Sequence, residues 1–111
     1  MTQVTGSLLE EMTKIISQAT NPRRIILFGS HARGTAGPDS DVDLLIVEDE
    51  PFGLERSRRK EIARILRSLS SFNIPLDILV YSAQEVQQWQ ATKNHVIAHA
   101  TREGRVLYDR H

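Results

Sequence analysis

Residues 24–47, RIILFGSHARGTAGPDSDVDLLIV, decide the fold of this chain. The stretch opens with an apolar run rich in isoleucine and leucine, residues 24–28, which predicts a buried strand. It closes with a second such run, residues 41–47, which predicts a second strand. The turn-forming segment between them, residues 29–40, is too short for a full helical crossover. The two strands are therefore expected to pair in an antiparallel arrangement.

The rest of the chain adds helices and one or two strands around this pair. Apolar spacing predicts helices over residues 8–19 and 54–69, the second with a strongly basic opposite face. The segment LDILVY, residues 76–81, predicts a third strand, and a capping-box pattern at residues 82–85 opens another helix. A short helix ending at Gly104 and a small strand over 105–108 complete the chain. The order predicts one α+β domain over residues 1–111, a mixed sheet with helices packed mainly on one side.

Composition narrows the class of function. The chain has 111 residues, and its 14 Lys and Arg balance its 14 Asp and Glu. A net charge of zero gives no basic footprint for nucleic acid or acidic membrane, so we expect no direct binding to either. There is no cysteine, and no apolar run reaches membrane length or forms a signal peptide. We expect a cytoplasmic protein with little room for a second substrate-binding domain, and with a partner protein.

Three aspartates carry the chemistry that the sequence suggests. Asp41 and Asp43 are two apart on a predicted strand, so both carboxylates point to one face. Asp77 interrupts an otherwise apolar strand, where an unpaired carboxylate would be costly. If the second and third strands pair, the three carboxylates meet at one site. Such a group suits two Mg²⁺ ions about 3.5–4 Å apart, the arrangement used for displacement at phosphorus.

A phosphate-binding turn precedes the aspartates. Gly29 and Ser30 follow the first buried strand and open a short helical turn, SHARG. A glycine there lets backbone N–H groups approach a phosphate closely, and the Ser30 hydroxyl adds a donor. Arg33, one turn further on, has the reach to bind phosphate as a charged fork. The pattern indicates a site that holds a triphosphate between this turn and a metal ion.

These motifs resemble a known superfamily. Gly29-Ser30, ten further residues, then Asp41-Val42-Asp43 is similar to the pattern of the DNA polymerase β-like nucleotidyltransferases. The run GSHARGTAGPDSDVDLLIV, with Asp77 and the ending REGRVLY, resembles the minimal nucleotidyltransferases, the antitoxins of HEPN–MNT modules. The resemblance spans nearly the whole chain.

The resemblance implies a mechanism and a partner. Asp41 and Asp43 would ligate two Mg²⁺ ions, with Mn²⁺ as an alternative, while Asp77 would hold the catalytic ion and help activate the acceptor hydroxyl. Gly29 and Ser30 would hold the β- and γ-phosphates of ATP. Related antitoxins transfer AMP to a tyrosine of the HEPN toxin, so the resemblance implies a hetero-oligomer with such a toxin.

Other interpretations stay open at the level of sequence. The chain is alternatively an antitoxin that neutralises its partner by binding, with catalysis dispensable. Arg33 is as consistent with a structural ion pair as with phosphate binding. The histidines at 95 and 99 have the spacing of a metal pair but no third ligand, which favours surface positions. Trp89 suits core or interface packing. The basic helix face is typical of a solvated surface. His31 has no assigned role.

Overall fold

One mixed four-stranded sheet organises the chain, as a computed structural model covering residues 4–37, 39–92 and 95–110 describes it. The elements in chain order are α1 (Gly6–Thr20), β1 (Arg24–Phe28), α2 (Ser30–Arg33), β2 (Val42–Glu48), α3 (Arg58–Ser68), β3 (Leu76–Ser82), α4 (Ala83–Trp89), α5 (Val96–Glu103) and β4 (Arg105–Asp109). The strand order across the sheet is β3-β2-β1-β4. β1 is antiparallel to both β2 and β4, which confirms the pairing expected for the first two strands. β3 runs parallel to β2, with α3 as the crossover.

Apolar side chains line both faces of the sheet because the two central strands are apolar at nearly every position. The residues of β2 that pack towards α1 and α3 are Val42, Leu44 and Ile46. Its alternate residues Leu45 and Val47 pack with Ile26 and Ala100 towards α4 and α5. The longer helices α1 and α3 therefore share one face, while the two short helices cover the other. The predicted α+β fold is confirmed.

Polar caps fix where the helices begin. Thr5 accepts from the Leu8 N–H at the start of α1, at 3.1 Å. Ser82 and Glu85 form the predicted capping box of α4, in which each side chain accepts from the other residue's backbone N–H. Such caps satisfy backbone donors that have no partner within the helix.

The predicted start of the third helix is wrong. The apolar spacing predicts the helix from residue 54, yet α3 begins at Arg58 after the cap residue Ser57. Residues Gly53 and Arg56 form an isolated bridge, which turns the chain and leaves Leu54 fully exposed. Leu54 fitted the apolar spacing only by coincidence, because it belongs to the turn and not to the helix.

Acidic side chains form ion pairs with several arginines of the basic face predicted for α3. Arg58 pairs with Glu85, and Arg64 pairs with Glu61. Arg56, just before the helix, contacts both Glu61 and Glu48. Glu48 is buried, with only 3% of the residue exposed. The face is therefore partly a structural ion-pair network between α3 and the sheet. Within the described ranges, no helix combines the length and apolarity needed to cross a membrane.

Candidate active site

Asp43 and Asp77 are register neighbours on two parallel strands. The pairing of β2 with β3 sets Val42 against Leu76, Asp43 against Asp77 and Leu44 against Ile78. Adjacent strands lie about 4.8 Å apart, and paired residues project to the same face. The pairing that the sequence left conditional therefore brings two of the three predicted carboxylates side by side.

Asp41 precedes β2 by one residue and lies two positions before Asp43, at the same end of the sheet. Its side chain and that of Asp77 are exposed, while Asp43 is half-buried. The reason given for Asp77 from the sequence is thus wrong, because this carboxylate stands at the open start of β3 and is not desolvated. Its exposure leaves it accessible to a second molecule.

Gly29 packs directly against the carboxylate of Asp43. Its φ of 74° and ψ of −156° are values that residues with a side chain rarely adopt. A Cβ atom built at Gly29 would overlap Oδ2 of Asp43. Phe28, the preceding residue, is the antiparallel partner of Asp43. The predicted glycine turn and the predicted carboxylates are consequently parts of one site, with no room for a side chain between them.

Gly29 is followed by α2, a single helical turn that holds Ser30 half-buried and Arg33 exposed. The Ala32 and Arg33 N–H groups donate to the Gly29 carbonyl, each at 3.1 Å. No side chain among the described residues caps the turn, and the first N–H groups of a helix have no partner within it. The N–H groups of Ser30 and His31 therefore remain free to bind an acceptor.

The groups around Asp43 shift the pKa of its carboxyl group in opposite directions. Burial raises the pKa of the Asp43 carboxyl group, and the negative charges of Asp77 and Asp41 raise it further. His31 and Arg33 act in the opposite direction and lower it. Asp41, Asp77 and Arg33 are thus each close enough to Asp43 to influence its pKa. None of the ion pairs between described residues involves any of the three aspartates.

The carboxylate oxygens at this end of the sheet are ligands of the type that a divalent-cation site uses. Carboxylate oxygens are hard ligands that suit Mg²⁺ or Mn²⁺, and a cation would relieve the repulsion that raises the pKa of Asp43. Within residues 4–37, 39–92 and 95–110, however, no three Asp, Glu or His side chains are arranged to hold one ion. The residues fit a cation by type, and Asp43 and Asp77 are register neighbours, but the carboxylates would have to rotate about their side-chain bonds to share one ion.

His31 is a site residue whose role the sequence did not reveal. Its ring nitrogen Nε2 lies 3.2 Å from the carbonyl oxygen of Ser40, the residue immediately before Asp41. The contact links the glycine turn to the segment that delivers the first aspartate. No periodicity or motif signals such a link, because it depends on how a loop returns to α2.

Among the described residues, the histidines at 95 and 99 belong to no group of three or more side chains that could hold a metal ion. His95 caps α5, and its Nδ1 accepts from the Ile97 N–H at 3.1 Å, so this nitrogen is occupied. Its ring stacks on Trp89 with centroids 4.8 Å apart, which gives Trp89 a packing role. His99 is exposed, as expected of a surface histidine.

Sequence comparison identifies relatives of the chain. Residues 9–81 match the family described as "Nucleotidyltransferase domain". Two proteins of Methanocaldococcus jannaschii, each named as a candidate protein adenylyltransferase, are similar to it. One is 37% identical over 75 residues, which cover 66% of this chain and 71% of that protein. The other is 33% identical over 89 residues, which cover 78% of each chain.

Two solved structures share the fold. A candidate nucleotidyltransferase from Sulfolobus solfataricus superposes with a TM-score of 0.65 at 17% identity, covering 94% of this chain and 79% of that one. A chain from a toxin–antitoxin structure with AMP-PNP superposes with a TM-score of 0.56 at 16% identity, covering 91% of this chain and 73% of that one. At these identities the likeness establishes the common architecture, the same mixed sheet with its helices.

Proposed function

Because this chain belongs to the nucleotidyltransferase domain family, we propose that it transfers AMP from ATP to a hydroxyl group of a partner protein and so acts as an antitoxin. The observation that carries the proposal is the parallel register between β2 and β3. It sets Asp77 beside Asp43 at the end of the sheet where Gly29 and α2 also lie. Among the described residues, the feature best suited to nucleotide chemistry is this carboxylate pair next to an open phosphate-binding turn.

The turn after β1 would bind the triphosphate. The free N–H groups at the start of α2 and the Ser30 hydroxyl are donors for the β- and γ-phosphates. Arg33 is exposed and close enough to lower the pKa of Asp43, so its guanidinium can extend over the same phosphates. The close packing of Gly29 on Asp43 keeps the phosphates and the carboxylates within one small volume.

Asp41, Asp43 and Asp77 would hold two Mg²⁺ ions, with Mn²⁺ as a substitute. The ions, when bound, supply positive charge that offsets the charge on the phosphates and on the leaving group. In the transfer, the acceptor oxygen forms a bond to the α-phosphorus, and the bond from that phosphorus to the oxygen bridging the α- and β-phosphates breaks. Pyrophosphate leaves, and the hydroxyl proton passes to the Asp77 carboxylate, whose exposure makes it accessible to an acceptor.

The class of acceptor that we propose is inferred from the names of the relatives. The two Methanocaldococcus jannaschii proteins are named for transfer to protein, and one protein that shares this fold comes from a toxin–antitoxin structure with an ATP analogue. The balanced charge of this chain, 14 basic against 14 acidic residues, offers no extended track for a polynucleotide. These observations support a toxin protein as the partner. The resemblance to the minimal nucleotidyltransferases makes a HEPN-type toxin with an acceptor tyrosine the partner that we propose, in a hetero-oligomer in the cytoplasm.

A second candidate is an antitoxin that works by occupancy alone. The observation that favours it is the lack of a completed three-residue metal geometry among the described side chains. Such a protein would neutralise its partner without nucleotide. The two candidates differ in whether Asp43 is needed.

Transfer with labelled ATP tests the proposal. The protein is incubated with Mg²⁺, the product of the neighbouring gene and ATP labelled at either the α- or the γ-phosphate. We expect label from α-labelled ATP alone on the partner, with a mass increase of one or more AMP units on a tyrosine peptide. Asp43→Asn should abolish it. RNA and aminoglycosides serve as alternative acceptors, and label on either with none on the partner would overturn the proposal. Neutralisation by Asp43→Asn without label would establish occupancy.

A further inference from the structure

His31 joins the two halves of the candidate site. It is the second residue of α2, half-buried, and its Nε2 approaches the Ser40 carbonyl oxygen at 3.2 Å. A carbonyl oxygen only accepts, so Nε2 must carry the proton and donate. This side chain therefore reaches from the glycine turn to the residue before Asp41.

The segment that His31 holds has few other ties to α2. Its start is fixed by the Thr35 N–H, which donates to the Ser30 carbonyl at 3.0 Å. Further along, the Ser40 N–H donates to the Gly37 carbonyl at 3.2 Å, and the Gly37 N–H donates to the Ser40 hydroxyl at 2.9 Å. The next anchor is the Val42 N–H on the Pro75 carbonyl, which belongs to the β3 side. Among the described residues between Thr35 and Val42, the hydrogen bond from His31 to Ser40 is what ties the end of this segment to α2.

We propose that His31 is a positioning residue that sets Asp41 relative to the Gly29-Ser30 turn through its hydrogen bond to Ser40. The inference rests on the function proposed above. Asp41 is one residue from the bonded carbonyl, so loss of the bond would free its backbone before β2 begins. A displacement of about 1 Å at a reacting group costs up to about a hundredfold in rate. The N–H groups at the start of α2, which would bind the triphosphate, would stay in place.

The test compares His31→Leu with His31→Gln, since glutamine can place an amide N–H near the position of Nε2. We expect His31→Leu to lower kcat by about tenfold to a hundredfold with a smaller change in the KM for ATP. His31→Gln should restore most of kcat. The exposed His99→Leu is the matched control and should behave as wild type. Equal losses in the leucine and glutamine variants, or no loss in either, would overturn the inference.

Hydrogen exchange gives a readout that does not depend on transfer. We expect peptides covering residues 35–42 to exchange faster in His31→Leu than in wild type or His31→Gln, with the melting temperature nearly unchanged. If wild type transfers nothing to any acceptor, the proposed function fails while this exchange pattern still reports on His31. If transfer occurs and the exchange of the three proteins is identical, the positioning role fails and the proposed function stands.

Discussion

Gly29 has a backbone conformation and a neighbour that together exclude any other residue. Gly29→Ala forces a side chain into a region that costs about 1–3 kcal/mol and drives its Cβ into the Asp43 carboxylate. We expect lower stability to urea and loss of Mg²⁺-dependent ATP binding.

Gly34 provides the matched control for this change. It too has a positive φ of 74°, but a Cβ there meets no atom within 4 Å. Gly34→Ala should lose about 1 kcal/mol of stability through backbone strain while keeping ATP binding. Equal binding by the two alanine variants would show that contact with Asp43 is unimportant.

Asp77 and Asp43 stand side by side, yet we expect different losses from them. Asp77 is exposed at the start of an edge strand, whereas Asp43 is half-buried between Gly29 and Asp77. Asp77→Asn should keep ATP binding within a few-fold and lose transfer by a hundredfold or more, the loss falling on kcat. Titration with ATP and Mg²⁺ measures the first quantity and single-turnover transfer the second. Binding as poor as that of Asp43→Asn would contradict this division of roles.

At the scale of elements, Arg58 joins three of them. Its guanidinium donates to the Val80 carbonyl on the open edge of β3 and makes two bonds, at 3.1 and 2.6 Å, to the Glu85 carboxylate at the start of α4. It also lies between the rings of Phe52 and Tyr81, with centroid distances of 4.7 and 4.8 Å. A planar fork makes all these contacts at once, which an ammonium group does not.

Arg58→Lys should therefore lower the free energy of unfolding by about 1–2 kcal/mol. Arg59→Lys, an exposed neighbour on the same helix, should change it by less than about 0.5 kcal/mol. Urea denaturation of both variants measures the difference. Indistinguishable midpoints would mean that Arg58 contributes no more than a surface charge.

The elements themselves were largely predictable from sequence. The strands at 24–28, 42–48 and 76–82 are apolar runs bounded by turn residues, and each lies within one residue of its predicted bounds. The parallel direction of β3 follows from the helical crossover α3, but local pattern does not fix that β3 pairs with β2. The start of α3 was missed because Leu54 extends the helical spacing into a turn. In the site, Asp43 and Asp77 were predicted by type, but neither the contact between Gly29 and Asp43 nor the His31 bond leaves a trace in local pattern.

At the scale of the whole molecule, ligand binding should raise thermal stability. Mg²⁺ together with ATP would bind only the folded site, so the melting temperature should rise with ligand concentration. Mg²⁺ alone or ATP alone should raise it less, because each lacks the other as a ligand. A double variant, Asp41→Asn with Asp43→Asn, should show no such rise in a thermal shift assay. An equal shift in the double variant would place nucleotide binding elsewhere.

Stability should also depend on pH through a buried carboxyl group far from the site. Burial raises the pKa of Glu48 to about 7, and the hydrogen bond and charge of Glu61 add to the rise while Arg56 lowers it. The folded protein therefore holds a proton that the unfolded chain releases near pH 4.5. Stability from this group is present below about pH 4.5, falls as pH rises towards 7 and is constant above that.

Glu48→Gln keeps a neutral donor towards Glu61 and removes the titration. The stability of wild type relative to Glu48→Gln should fall by roughly 1–3 kcal/mol between pH 5 and pH 8. Urea unfolding at several pH values measures this difference, and the histidines cancel because both proteins carry them. Parallel curves for the two proteins would show that Glu48 does not hold the proton.

The parallel pairing of β2 with β3 also governs when the site comes into existence during synthesis. Gly29, Ser30 and Asp41 lie in the short segment that joins the antiparallel strands β1 and β2, and Asp43 lies on β2, so all four leave the ribosome before β3 does. Asp77 arrives only after the whole α3 crossover has been made, and such distant pairings form late in folding. An unfinished chain would thus hold the phosphate turn and two carboxylates without the third. Nascent molecules would remain inert until β3 docks, so that transfer starts only once the sheet is complete.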